Sequence, residues 1–204
     1  MANKATLAVG IIVIVLLIVA GYFIFIGESV NVYIDGENVT SQTIASPFSG
    51  IDTNKLNKEI CDYTFNTMNN TTGDAKSLNL GILRICLSYG MDNVKVHIDS
   101  ALGEDKIPII YHVEGTSMYP TLNDGQTVLV EKTKSVNVGN IVVANSSEYG
   151  NIIKRVSEVK GDRIYLTSDN TDVNYEYKNG SLYETKGIST WVNSNDIYGV
   201  VVQY

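Results

Sequence analysis

The apolar positions of this 204-residue chain change their spacing twice, and the first stretch has no periodicity at all. Residues 5–26 form a continuous apolar run without a charged side chain. At about 1.5 Å per residue the run spans about 33 Å, enough for a bilayer core. A cleaved signal has a shorter apolar centre followed by small residues, whereas this run continues through residues 22–25. The run therefore predicts an uncleaved membrane anchor, with a buried core helix as the competing interpretation.

The second stretch, residues 28–106, mixes strand and helix patterns. Alternation from Val30 to Val39 meets Asp35-Gly36, which predicts a hairpin. Asp52 or Thr53 can cap a first helix, and Gly90 ends a second one. Apolar side chains recur at helical spacing in both of these helices: Leu56, Ile60 and Met68, then Leu78, Ile82, Cys86 and Tyr89. This stretch therefore predicts a small α/β module, whose role the pattern does not reveal.

From Val94 onward the apolar spacing falls to two, and helical patterns do not return before Tyr204. The pattern predicts successive short strands. The expected fold is a mainly β domain preceded by the small α/β module and one N-terminal transmembrane helix. The corresponding boundaries are residues 1–27 for the cytoplasmic stub and anchor, 28–106 for the module, and 107–204 for the β-rich domain.

Charge modifies this picture by excluding some partners. The chain has 15 basic and 22 acidic residues, and Lys4 is the only charged residue before Glu28. The acidic excess therefore belongs to the part after the anchor, which disfavours nucleic acid as a partner and provides no polybasic patch for anionic lipid. The bilayer contact is expected through residues 5–26 alone. The weak positive flank at Lys4 predicts a cytoplasmic amino terminus and an external remainder.

The cysteines and histidines predict no metal or cofactor site. Cys61 and Cys86 could form one disulfide outside the cell, or could be two small buried side chains. His97 and His112 show no ligand-like spacing to the cysteines or to each other. Each histidine alternates with apolar neighbours, which favours a structural role.

Candidate chemistry begins where the strand pattern of residues 107–113 is interrupted. The sequence Ser-Met-Tyr-Pro-Thr-Leu occupies residues 117–122, and Ser168-Asp169-Asn170 follows later. Between them lies a block from Gly139 to Asp162 that contains Ile-Ile-Lys-Arg-Val at 152–156. These three boxes, in this order, resemble those of the type I signal peptidases and the wider serine–lysine peptidases, which include the SOS-repressor autoproteases. The resemblance covers about half of the chain.

A serine–lysine pair also follows from the chemistry of the residues. A serine hydroxyl needs a base to remove its proton, and no histidine accompanies Ser117 at a convincing spacing. Lysine can serve if an apolar pocket lowers its pKa. In a strand, Lys154 shares a face with Ile152 and Val156, whereas Arg155 points the other way. Ser117 is therefore the predicted nucleophile and Lys154 the predicted general base.

Further residues near the three boxes are assigned supporting roles. The Ser117 N–H and Thr116 are candidate oxyanion donors, because Gly115 stands where some relatives carry a hydroxyl. Arg155 is the expected ion partner of Asp169, and Asp169 with Asn170 is expected to hold the lysine strand. Ser168 replaces the usual glycine, and Thr171 could supply the hydroxyl that orients the lysine. Met118 and Pro120 are expected to shape the nucleophile loop.

The resemblance implies a membrane-anchored endopeptidase that cleaves signal peptides from exported preproteins on the outer face of the cell membrane. The lysine at position 154 is closer to the bacterial type, since the archaeal and endoplasmic-reticulum branch uses histidine there. One alternative is a dedicated processing peptidase for a restricted class of surface or pilus-like proteins. Another is a catalytically inactive, surface-anchored binding protein. A self-cleaving repressor is disfavoured, because nothing N-terminal resembles a DNA-reading helix pair.

Overall fold

The computed structural model describes residues 12–18, 21, 27–70, 73–178, 181–185 and 187–204. Within these ranges no helix is long and apolar enough to cross a membrane. The anchor expected at residues 5–26 lies largely outside the described residues, so it stays a prediction.

The first folded unit is a three-stranded sheet covered by two helices. Its strands are β1 (Glu28–Ile34), β2 (Val39–Ile44) and β3 (Val94–Ser100), in the order β2-β1-β3. β1 pairs antiparallel with β2, which confirms the hairpin, and parallel with β3. The Asp35 carboxylate accepts the backbone N–H groups of Glu37 and Asn38 and so closes the hairpin turn.

The helices α1 (Thr53–Asn69) and α2 (Ala75–Ser88) form the connection between β2 and β3. Asp52 caps α1 by accepting two backbone N–H groups, and Asp74 with Ser77 forms a capping box at α2. Six residues of the predicted apolar stripes are buried against the sheet, together with Val30, Val32, Ile34, Met91 and Ile98. The seventh, Tyr89, follows α2 and is partly buried against the same core. Local capping and periodicity therefore account for this unit.

The second unit is an antiparallel seven-stranded sheet with a small accessory hairpin. The strands of this unit are β4 Pro108–His112, β5 Thr127–Glu131, β6 Ile141–Ser146, β7 Gly150–Lys160, β8 Arg163–Thr167, β9 Asn174–Lys178, β10 Ser181–Thr185, β11 Ser189–Asn193 and β12 Ile197–Gln203. The sheet has the strand order β11-β8-β7-β6-β12-β5-β4, and β9 pairs with β10 in the hairpin. A 3-10 helix at Ser194–Asp196 precedes β12. The mainly β architecture predicted after Val94 is thus confirmed.

A buried lysine joins the two units. Lys132 follows β5, is 8% exposed, and donates to the carbonyl oxygens of Thr67 and Met68 at 2.7 and 2.9 Å. It also donates to the carbonyl oxygen of Asn70. These carbonyls end α1, where a cation is favourable because the helix dipole is negative there. Burial nevertheless lowers the pKa of Lys132 to about 8.

The joint also has an apolar part. Ile107 is 1% exposed and belongs to the core of the first unit, although the predicted domain boundary placed it at the start of the second. At the hairpin turn, a Cβ atom added to Gly36 would lie 3.1 Å from the Cγ1 atom of Ile110. The two units therefore pack against each other at both the hairpin and the end of α1.

Cys61 and Cys86 are both free thiols, which favours the second of the two interpretations left open by the sequence. Cys86 is buried in the core of the first unit, and Cys61 is half-buried. Burial raises the pKa of both thiols, as expected for structural cysteines.

Replacing Lys132 tests the joint between the units. Lys132→Ala leaves the last carbonyl groups of α1 without their buried donor, and we expect the free energy of unfolding to fall by about 2 kcal/mol or more. Chemical denaturation of the full chain in detergent measures this loss. Lys95→Ala, which removes an exposed lysine of β3, should change the free energy by less than about 0.5 kcal/mol. Equal effects of the two substitutions would contradict the assigned role of Lys132.

Candidate active site

The loop that contains Ser117 connects β4 to β5 across residues 113–126 and is named the nucleophile loop. Its own buried side chains hold it in place. Met118 and Leu122 are almost completely buried in the cluster beneath the loop. The N–H of Leu122 donates to the carbonyl of Met118 at 2.9 Å, and the N–H of Tyr119 donates to that of Thr116 at 3.1 Å. Ser117 therefore precedes a fixed side chain and is itself half-buried at the rim of a cleft.

Lys154 occupies the inward face of β7, as its alternation predicts. Lys154 is 3% exposed and lies between the buried Ile152 and Val156, whereas Ile153 and Arg155 are only half-buried. Its Nζ atom is 2.7 Å from the Ser117 Oγ atom. The same Nζ donates to the carbonyl of Ile153 at 2.9 Å. The structure thus brings the predicted nucleophile and the predicted base into hydrogen-bond contact.

Burial governs the ionisation of this lysine. Desolvation lowers the pKa of Lys154 to about 8, and the nearby Asp169 carboxylate opposes part of that shift. At pH 7 about one-tenth of such groups are neutral, far more than for an exposed lysine. A neutral amine at this distance can accept the hydroxyl proton, which is what a general base for Ser117 requires.

Arg155 and Asp169 form the expected ion pair with two parallel contacts. Arg155 Nε donates to one carboxylate oxygen at 2.7 Å, and Nη2 donates to the other at 2.6 Å. Arg155 also donates to the carbonyl of Gly139 at 2.7 Å. This pairing lowers the pKa of Asp169, as does a hydrogen bond from Thr121 in the nucleophile loop. The outward neighbour of Lys154 therefore fixes β7 to the segment after β8.

Asn170 contacts a different element from the one expected. Its backbone N–H donates to the carbonyl of Ser117, and its side-chain amide donates to that of Thr116, both at 2.9 Å. The sequence-based prediction was that Asn170, together with Asp169, holds the strand that carries Lys154. Adjacent residues of an extended segment point to opposite sides, so Asp169 faces β7 while Asn170 faces the nucleophile loop.

The hydroxyl expected to orient Lys154 is replaced by a backbone group. The described contacts of the Lys154 Nζ atom are Ser117 and the carbonyl of Ile153, and they do not include Thr171. Ser168 is buried, and its Oγ accepts the N–H of Ile188 at 2.9 Å. Ser168 therefore holds the return of the chain into β11 rather than the lysine.

The cleft around the pair has a volume of about 580 Å³. Its walls include the apolar side chains of Tyr111, Val143, Ile153 and Ile188, with Met118 beneath them. Tyr111, Val143 and Ile188 were not among the predicted site residues, because β4 and β6, which carry the first two, are apolar on successive positions and no motif distinguishes these residues from core residues. A cavity of about 650 Å³ beside the three-stranded sheet includes Ser41 and His97, but the Ser41 hydroxyl donates to the side chain of Asn57.

No described part of the chain brings three His, Cys, Asp or Glu side chains close enough to hold a metal ion. Near the nucleophile, the described residues offer the Ser117 N–H no backbone acceptor. An amide without a backbone acceptor beside the Ser117 hydroxyl is a candidate donor to developing negative charge.

Neutralising Asp169 should change the ionisation of Lys154 in a defined direction. Because the Asp169 carboxylate raises the pKa of Lys154, Asp169→Asn should lower that pKa further below about 8. Titration of the Lys154 side-chain resonance by NMR measures the shift. The matched control is Asp172→Asn, which neutralises an exposed carboxylate in the same segment and should leave the titration in place. A rise of the Lys154 pKa in Asp169→Asn would contradict the assigned electrostatics.

Comparison with known proteins finds similarity to peptidases. The sequence model of the family described as Peptidase S24-like matches residues 87–187. Signal peptidase IB of Staphylococcus aureus strains Mu50, N315 and COL is 38% identical to this chain over 77 residues. The aligned part is 36% of this chain and 35% of each relative, so the match spans about a third of their length.

Both matches agree with the family resemblance of the three sequence boxes. The resemblance to the type I signal peptidases and the wider serine–lysine peptidases is thus confirmed, over residues 87–187 for the S24-like family and over 77 residues for signal peptidase IB.

Proposed function

We propose that this protein is a membrane-anchored serine endopeptidase that cleaves signal peptides from exported preproteins, with Ser117 as nucleophile and Lys154 as general base. The observation that carries the proposal is the 2.7 Å contact between the Lys154 Nζ and the Ser117 Oγ in an apolar setting. The similarity to signal peptidase IB supports the substrate class.

In the proposed acylation step, neutral Lys154 removes the hydroxyl proton as the Ser117 Oγ attacks the scissile carbonyl carbon. A tetrahedral oxyanion forms, and the Lys154 ammonium then donates its proton to the leaving amine. The carbon–nitrogen bond breaks and leaves an ester on Ser117. Water, deprotonated by Lys154, attacks this ester and releases the acid product with Ser117 restored. The cycle uses no cofactor.

The oxyanion needs donors that point into the cleft before the reaction begins. The Ser117 N–H is one proposed donor, because no described backbone acceptor competes for it. Thr116 is the proposed source of the second donor. Its carbonyl is fixed by Asn170 and Tyr119, which restricts the orientation of the residue.

The positioning residues act on the two catalytic groups separately. Arg155 and Asp169 hold the lysine strand through their paired contacts. Asn170 holds the backbone on both sides of the Thr116–Ser117 bond. Met118 anchors the loop in the core, and Pro120 restricts the turn that follows, in which Tyr119-Pro120 is cis.

The proposed location follows from the apolar run at residues 5–26. An anchor there, with the amino terminus in the cytoplasm, places residues 28–204 on the outer face, where signal peptides emerge. The division into stub and anchor, module, and peptidase domain belongs to the same proposal. A restricted processing peptidase is the second candidate, because the end of α1 lines a cavity that shares Tyr111 and Asn151 with the cleft, where it would limit which substrates enter.

Removing either catalytic group should abolish cleavage. For Ser117→Ala and Lys154→Ala we expect kcat/KM on preproteins with a small residue before the cut to fall by about 10⁴-fold, because each loses a group that acts in the transition state. Purified full chain in detergent and a panel of unrelated preproteins provide the measurement. Breadth across the panel separates a general signal peptidase from a dedicated one.

The matched controls are Ser135→Ala and Lys95→Ala, which remove an exposed serine and an exposed lysine away from the cleft. Both should retain full activity. Unchanged cleavage in Ser117→Ala or Lys154→Ala would exclude the proposed pair, and inactivity of the intact chain on every substrate would favour a binding protein.

The pH dependence should report the lysine base. Because the neutral form of Lys154 is the active one, kcat/KM should rise about tenfold per pH unit below the pKa and level off above about pH 8. Initial rates at substrate concentrations well below KM, from pH 5.5 to pH 9, measure both the rise and the plateau of kcat/KM. A plateau that begins below pH 6 would identify a different base.

A further inference from the structure

A smaller side cavity of about 230 Å³ lies beside the active-site cleft. Tyr111 and Asn151 line both spaces, so the two are neighbours across these residues. The far wall of the side cavity includes Met68 and Asn69, which form the last turn of α1. A helix of the N-terminal module therefore contributes to a surface that begins at the proposed catalytic serine.

The position of this wall is fixed by Lys132. Its ammonium donates to three carbonyl groups at the end of α1 and itself lines the side cavity. Since these contacts join α1 to the residue after β5, the end of the helix cannot move away without exposing or unpairing a buried cation. The side cavity is thus built into the joint between the two units.

The lining indicates what the side cavity can receive. Its apolar surface comes from Met68, Ile109, Tyr111 and Tyr198. Lys132 supplies the only charged side chain among its described lining residues, but all three N–H donors of that ammonium are directed at carbonyl oxygens. A substrate carboxylate would have to displace one of these contacts. A neutral apolar or aromatic side chain fits without that loss.

The spacing of residues along β4 gives an estimate of the distance between the scissile bond and the side cavity. Ile109, Tyr111 and Val113 alternate along one side of the chain, with Val113 at the main cleft and Ile109 at the side cavity. Four residues of extended chain cover about 13 Å. A substrate in extended conformation that follows the cleft therefore reaches the side cavity about four residues from its scissile bond.

We infer that the side cavity is a specificity subsite that binds an apolar or aromatic side chain of the substrate polypeptide, about four residues from the cleaved bond. The N-terminal module then acts in substrate selection through Met68 and Asn69. This inference rests on the proposed peptidase function and extends it to a part of the chain that carries no catalytic residue.

The test fills the side cavity without changing the catalytic groups. Asn69 is exposed at the rim, so Asn69→Trp should occlude the cavity and preserve the fold. Asn66→Trp is the matched control, because it makes the same change at an exposed position of the same helix that does not line the cavity. The substrates are synthetic peptides in which each position three to five residues from the cut, on either side, carries Leu, Phe, Ala or Asp.

For the unmodified chain, we expect one of these positions to favour Leu or Phe over Ala by about tenfold or more in kcat/KM, and to disfavour Asp. Asn69→Trp should reduce this ratio to about one, because kcat/KM falls more for the Leu and Phe peptides than for the Ala peptide. Asn66→Trp should keep the ratio.

The inference is overturned if the unmodified chain shows no preference at these positions, or if the preference survives in Asn69→Trp. An equal loss on Ala and Leu peptides in Asn69→Trp also contradicts it, since that result indicates general damage rather than a blocked subsite. Failure of the proposed function looks different, because the unmodified chain would then cleave none of the peptides in a Ser117-dependent manner.

Discussion

An amine held in an apolar environment is the constraint on which the proposed chemistry depends. Lys154 is almost fully buried beside Ile152 and Val156, and the loss of water lowers its pKa to about 8. Burial of an ammonium group costs free energy unless it finds partners, and here the partners are the Ser117 hydroxyl and the carbonyl of Ile153. Because its pKa is lowered, Lys154 has a neutral fraction that can accept a proton at a pH at which an exposed lysine stays charged.

The segment that follows β8 keeps this arrangement in register. Asp169 engages Arg155 on the lysine strand, and Asn170 engages the backbone at Thr116 and Ser117. Two adjacent side chains therefore tie the base and the nucleophile to one short piece of chain. A displacement of either would be transmitted to the other, which suits a reaction that depends on a contact of less than 3 Å.

Much of this site could be predicted from sequence because the relevant signals are local. The alternation along β7 predicts that Lys154 points inward and Arg155 outward. The resemblance of the three boxes to a known family predicts that Ser117 lies at the same site as Lys154. Lys132 escaped prediction, because its partners lie more than sixty residues away and no local pattern encodes a contact between units. The target of Asn170 was assigned wrongly for the same reason. Cys61 and Cys86 both lie in helical patterns of apolar residues. The number of cysteines alone does not tell whether two such residues form a disulfide or are free thiols.

The most direct test of the central claim is detection of the covalent intermediate on Ser117. A peptide p-nitrophenyl ester acylates a serine nucleophile faster than water removes the acyl group, so acid quenching during turnover should trap the ester. The proposed function predicts a mass increase equal to the acyl group on the fragment that contains Ser117, and no increase in Ser117→Ala or Lys154→Ala. Product release without this adduct, or an adduct that persists in Ser117→Ala, would contradict it.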